Sequence, residues 1–451
     1  MTLRPIPQRE FAIYGLSLPR GPNFAPLEEV AWWRDEARRS TGVITFDKRS
    51  QSFGYLGLRR DVDHRFRTLP PGLGLPSSEA ALVAFQGQLR AGEPPESRPS
   101  GEPVRSNLLA VPEGRVVNEK FSMLCSSAHH LAALHTVVEI YLALDRPDDN
   151  FVGDFQTDGF DARLWELYLF AAFREQGIAV HQDGGSPDFR LCNKGTTVLV
   201  EALTANPPQR MQPLTAPPAP APTDPVQRTL GAAAERFAKS LRSKMTRRYW
   251  DLPTVAGSPF VLAIGDFHQS GSMTWSSVAL QSYLYGLKTI IDVHDGKRRA
   301  RSEAVERLLG SQGIPAGFFT QPESEQVSAV IGCNAATLGK FNRMGHLAGW
   351  KVPGLRMERS GIFFCHGGDR LEATPFCYDI DDPAYGRLWP GGELWCLELE
   401  VYHNPNALHP IALDFFPGAT HFFERAGEIV FEGPWERRVL SSVTALLLAE
   451  R

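Results

Sequence analysis

Three carboxylates stand where they can act together on a phosphate: Glu166, Asp188 and Glu201. In the stretch SPDFRLCNKGTTVLVEAL, Asp188 opens one strand-like run and Glu201 falls near the end of the next. A hairpin between the runs brings the two side chains together. Mg²⁺ and Mn²⁺ take oxygen ligands in octahedral geometry and keep several waters, so two carboxylates, a backbone carbonyl and phosphate oxygens suffice for a site. Such an ion would polarise a phosphoryl oxygen and lower the pKa of a bound water, which is the chemistry of phosphodiester hydrolysis. Glu201 lies inside the apolar run VLVEAL, where an unpaired carboxylate is costly to bury and a metal would explain it. Glu166, in LWELYL, is placed to add a ligand or to orient the water. Against this stands the plainer reading of a turn aspartate and exposed glutamates that are merely solvated.

The elements that must position these acids follow from periodicity. RLWELYLFAAFREQG has helical spacing, with Gly177 at its C-cap. Strands are predicted at 178–182, 188–191 and 196–203, the first two separated by a DGGSP turn. A Pro-rich insertion, 206–224, precedes a second helical pattern, QRTLGAAAERFAKSLRSKMTRRYW, and a buried strand at 259–267. The order is α-β-β-β-α-β.

At these residues the chain resembles the PD-(D/E)XK nuclease superfamily, whose common core has that order. Pro187-Asp188 matches the first half of its motif and Glu201 the second, while Glu166 falls where many members carry a helix-borne acid. Leu203 stands at the position of the motif lysine. In this superfamily a cation from elsewhere in the core can replace that lysine, and the second helix offers Lys244, preferred here, and Lys239. The resemblance covers about 160–267 and implies a Mg²⁺- or Mn²⁺-dependent endonuclease on nucleic acid, DNA ahead of RNA. It also implies a homodimer where both strands are cut. Arg242, Arg247 and Arg248 would form a basic stripe toward the phosphate backbone. Lys340 and Arg343, in GKFNRMGHLAGW, are further candidates for holding phosphate. Two alternatives remain open: an inactive nuclease fold that binds nucleic acid or protein, and an unrelated structural or interaction protein.

Around this core, region 1–115 reads as an α+β unit, with a helix at 26–39, a hairpin at 42–47 and 52–58, and a short helix in SSEAALVAFQGQLRAG. A long helix is predicted over 117–144. It carries His129, His130, His135 and Glu139, histidines of the packed kind rather than an HExxH metal motif. Beyond it come a helix at 276–287, a basic turn at 297–301 and a strand near 327–334. The core spans 116–345. The rest, 346–451, is a β-rich extension with strands at 361–365, 393–401 and 420–431 and a terminal helix from Glu436. The fold class is α/β, a central mixed sheet flanked by helices.

With 451 residues, 43% of them hydrophobic, the chain can bury a sizeable core. No apolar run reaches the roughly 18 residues of a membrane span, and the N-terminus shows no secretory pattern, so a cytoplasmic protein is expected. The six cysteines are scattered without a CxxC pair, which argues for reduced thiols. A net charge of -4 excludes a uniformly basic surface but leaves room for a local one.

Overall fold

The computed structural model describes residues 2–91, 98–207, 220–294, 297–310, 313–367 and 370–448. It is a mixed α/β protein in which an eight-stranded mixed sheet is flanked by helices and accompanied by antiparallel sheets. Residues 208–219 of the Pro-rich insertion expected at 206–224 lie outside the described residues.

The chain opens with β1 (Leu3–Pro5), α1 (Gln8–Gly15), β2 (Glu28–Asp35), β3 (Ser40–Asp47), β4 (Ser52–Arg60), β5 (Phe66–Thr68), β6 (Gly72–Leu75) and α2 (Ser78–Ala91). The expected hairpin forms as β3–β4, and α2 covers it because Gly42 and Gly57, paired across the strands, leave room for the ring of Phe85. The helix expected at 26–39 is instead the strand β2. Ala31 and Trp33 pack on one core while Trp32 packs on another, and pairing with both β1 and β3 outweighs local helical preference.

The middle of the chain carries α3 (Glu119–Ser126), α4 (Leu131–Ala143), α5 (Phe151–Gln156), α6 (Phe160–Glu175), β7 (Ala179–His181), β8 (Phe189–Asn193) and β9 (Thr196–Ala205). The single helix expected over 117–144 is broken where Ser127 turns extended and a 3-10 turn, Ala128–His130, restarts it. After the insertion come α7 (Pro225–Leu230), α8 (Ala232–Met245), β10 (Phe260–Asp266), α9 (Ser277–Tyr285), β11 (Leu287–His294) and β12 (Lys297–Ala304). Residues 297–301, expected as a basic turn, belong to β12 and pair with β11.

The last third holds β13 (Ala329–Cys333), α10 (Leu338–Leu347), β14 (Leu355–Gly367), β15 (Arg370–Asp379), α11 (Pro383–Gly386), β16 (Leu399–His403), β17 (Thr420–Arg425), β18 (Glu428–Glu432) and β19 (Arg437–Leu448). The terminal helix is therefore overturned: β19 is a strand bonded along β14 from Leu355↔Leu448 to Cys365↔Arg437, a partner remote in sequence. Strands beyond residue 345 complete the large sheet, whose order is β18-β17-β16-β13-β10-β9-β8-β7.

Alternation along its central strands feeds two cores. Val198 and Val200 of β9 face the core built on α4 and α6, whereas Leu199, Leu203 and Ala205 face that of α7, α8 and α9. No helix among the described residues is long and apolar enough to cross a membrane.

Helices α4 and α10 approach closely at Gly345, where an added Cβ would collide with Ala132 O and Thr136 Oγ1. Both obstacles sit on a buried helix and cannot swing away. Gly345→Ala is expected to lower stability by about 1–3 kcal/mol, read as a reduced midpoint in urea unfolding.

Candidate functional site

The pairing of β8 with β9 sets Phe189 opposite Val200, so Asp188, one residue before β8, falls beside Glu201 and Ala202. Its Oδ2 accepts a hydrogen bond from Ala202 N at 2.7 Å. Glu201 shares the face of Leu199 and Leu203, toward α8, and is almost fully buried. There Lys244, in the last turn of α8, donates to Glu201 Oε1 at 2.5 Å, and Tyr249 Oη donates to the same oxygen at 2.7 Å. Glu201 Oε2 is buried and has no hydrogen-bond partner among the described residues.

Glu166 reaches this region from α6. Both its oxygens face the Arg163 guanidinium, at 3.0 and 3.1 Å, and Arg163 also holds Asp154 at 2.6 Å. Burial, and then the negative charge of Asp188, push the Glu166 carboxyl well above the usual range, and Arg163 offsets this only in part. Burial, and then the charge of Glu201, likewise raise Asp188, against the Ala202 N–H, Lys244 and Arg163. For Lys244, burial works against the ammonium, but the charge and hydrogen bond of Glu201 more than offset it. The three acids thus sense one another's charge in sequence, with Asp188 in the middle.

The remaining sequence candidates divide. Lys239 is exposed and lies 3.6 Å from Glu235, one turn back on α8, so Lys244 is the lysine that meets the acids. Arg242, Arg247 and Arg248 are exposed at the end of α8, and Arg248 is engaged by Asp251 and Glu323. Lys340 and Arg343 are not surface phosphate contacts. Lys340 is wholly buried between Glu393 and Glu398, and Arg343 is gripped by both oxygens of Glu393. Both cations are committed to buried carboxylates rather than to the surface. The helical histidines are dispersed: His130 bonds Asn342, His135 stacks on Trp350, and Glu139 pairs with Arg60. The aromatic side chains of Tyr249, Trp250 and Trp275, close to the basic helix or to β10 in sequence, are core residues.

Sequence reasoning missed two members of the site. Arg163 is legible in retrospect, since its i,i+3 spacing to Glu166 is that of a helical ion pair. Tyr249 leaves no such signal, because it reaches Glu201 only after the chain has turned beyond α8.

Among the described residues no group of three or more His, Cys, Asp or Glu is arranged to hold a metal ion. With Glu166 turned to Arg163, what the site offers a cation is Asp188 with the unpartnered Oε2 of Glu201. Carboxylate oxygens are the ligand type that a hard divalent ion takes. No family model, no curated protein and no solved structure matches the chain.

The raised Asp188 carboxyl has a consequence for stability. An unfolded aspartate titrates at about 3.9, so its contribution is full below that value and is lost as pH rises through the higher folded value. Asp188→Asn keeps an acceptor for Ala202 N and removes the charge. It is expected to be more stable than wild type by on the order of 1 kcal/mol at about pH 8, with the gain narrowing toward about pH 5. Urea unfolding at the two pH values checks this; an equal effect at both would mean that charge repulsion is not the cause.

Proposed function

We propose that the chain is a divalent-metal-dependent nuclease of PD-(D/E)XK type, hydrolysing phosphodiester bonds in nucleic acid. The observation that carries this reading is the delivery of Lys244 from α8 to Glu201 at 2.5 Å, with Asp188 beside them. A catalytic cation is thereby supplied although Leu203 stands at the motif position. Asp188 and Glu201 Oε2 would hold Mg²⁺ or Mn²⁺, which when bound supplies Lewis-acid activation of the phosphate.

The chain's own groups do the rest. Lys244 places positive charge against the scissile phosphate and the attacking water. Tyr249 fixes Glu201 Oε1, so that the free oxygen keeps its direction. Arg163 holds Glu166 on the α6 side, and the exposed Arg242 and Arg247 extend the positive surface along α8, where a nucleic-acid backbone would lie. Water adds to phosphorus and the bridging oxygen departs, leaving one phosphate end and one hydroxyl end.

The rival reading, a nuclease fold that binds nucleic acid without cutting it, draws on the Glu166–Arg163 pair, which withdraws the third carboxylate from a metal. Cleavage of labelled single- and double-stranded DNA and RNA with Mg²⁺ or Mn²⁺ separates the two. Wild type is expected to cut, and Asp188→Ala, Glu201→Ala and Lys244→Ala to lose at least about a hundredfold in rate, some 2.7 kcal/mol of transition-state stabilisation. Retained binding without cleavage across the panel would favour the rival.

Metal binding has its own readout. An ion at tenfold its dissociation constant should stabilise the wild type by about 1.4 kcal/mol, seen as a rise in Tm. Glu201→Gln should abolish that rise; an unchanged shift in the variant would place the ion elsewhere.

A further inference from the structure

The third carboxylate, Glu166, is held by a group of its own helix. Arg163 and Glu166 are three residues apart on α6 and share one face. The guanidinium gives a single nitrogen, Nη1, to both oxygens of Glu166, at 3.0 and 3.1 Å. Its other terminal nitrogen, Nη2, serves a different pair of acids, Asp154 at 2.6 Å and Asp148 at 3.3 Å. Those two expose 45% and 51% of their side chains, whereas Glu166 exposes 11%. One half of the guanidinium therefore meets a buried carboxylate and the other half meets surface acids.

That division makes the contact with Glu166 the exchangeable one. If Glu166 turns away, the guanidinium keeps Asp154, Asp148 and the ring of Phe151, whose centroid lies 5.1 Å from Cζ. Breaking a buried ion pair is costly because it leaves a charge unpaired, and here Arg163 is not the group left unpaired. Burial works against the guanidinium, but Glu166 and Asp154 more than offset it. Glu166 is the group that would then need a new cation, and the negative charge of Asp188, which already acts on it, strengthens that need. Lys244 has no comparable reserve, since its ion pair among the described residues is with Glu201 alone.

We propose that Arg163 is an internal competitor for the metal: it holds Glu166 away from Asp188 and Glu201, and a divalent ion binds by taking Glu166 from it, while the guanidinium stays with Asp154 and Asp148. Metal affinity is thereby set by an arginine that does not touch the ion. This inference rests on the metal site of the nuclease reading and adds a regulation of that site.

Calorimetric titration with MnCl₂ in the absence of nucleic acid tests it. Arg163→Gln should bind Mn²⁺ at least about tenfold more tightly than wild type, and the gain should vanish when Glu166→Gln is added. Equal tightening in the Glu166→Gln background would mean that Arg163 acts by charge alone and would overturn the proposal, as would unchanged or weaker binding by Arg163→Gln. Asp154→Asn, at a half-exposed position, covers the case in which Arg163→Gln does not fold. It removes a partner on which Arg163 falls back, so Mn²⁺ should bind about threefold more weakly or worse. Asp149→Asn, the same charge change at an exposed neighbour, is the control, and equal effects of the two would overturn the proposal. Cleavage by the same proteins keeps the two readings apart. Tightened, Glu166-dependent Mn²⁺ binding without cleavage would count against the nuclease and leave the exchange standing; cleavage by a wild type whose Mn²⁺ affinity Arg163→Gln does not change would do the reverse. No Mn²⁺ binding by any of these proteins would overturn both.

Discussion

A carboxylate in the middle of a central strand must be compensated or neutral, and Glu201 on β9 of the large sheet is under that constraint. Its neighbours Leu199 and Leu203 drive that face into the α7–α9 core, so Glu201 enters the same apolar layer. Compensation comes from α8, whose final turn brings Lys244 to one oxygen, and from Tyr249 just beyond. The other oxygen is left without a partner among the described residues, and an unmade hydrogen bond on a buried carboxylate is costly. That imbalance, together with the raised carboxyls of Asp188 and Glu166, separates the site from an ordinary buried ion pair, in which each charge meets its opposite.

A second buried charge system binds the later elements together. Lys340 and Arg343 of α10, Arg359 of β14 and the carboxylates Glu393 and Glu398 come from separate stretches, so the network exists only when helix, sheet and the segment before β16 have docked. Glu393 meets all three cations and Glu398 meets Lys340 and Arg359, so each carboxylate keeps a partner if one cation is replaced. Such a network favours one arrangement of these elements over alternatives with similar apolar burial.

Strong local patterns were legible before the fold was known. The helix, three strands and later strand around the acids appear in the expected order, but the single helix expected before β10 is divided at Gly231 into α7 and α8. Lys244 could be preferred over Lys239 only on resemblance. The structure distinguishes them by helical phase: Lys239 points back along the exposed side of α8 toward Glu235, whereas Lys244 lies on the side that meets β9. The segments misread, 26–39 and the C-terminal stretch, have helix-compatible compositions but become strands because partners far away in sequence supply the hydrogen bonds.

The sequence by itself determined the mixed α/β character, the β8–β9 hairpin that joins Asp188 to Glu201, and the basic face of α8. These depend on neighbours within a few tens of residues and on side-chain period alone. Only the tertiary structure decided that Lys340 and Arg343 are interior cations, that Arg163 claims Glu166, and that β16, β17 and β18 complete the large sheet. Those outcomes turn on which charges are excluded from water together, a property of packing that no local spacing encodes.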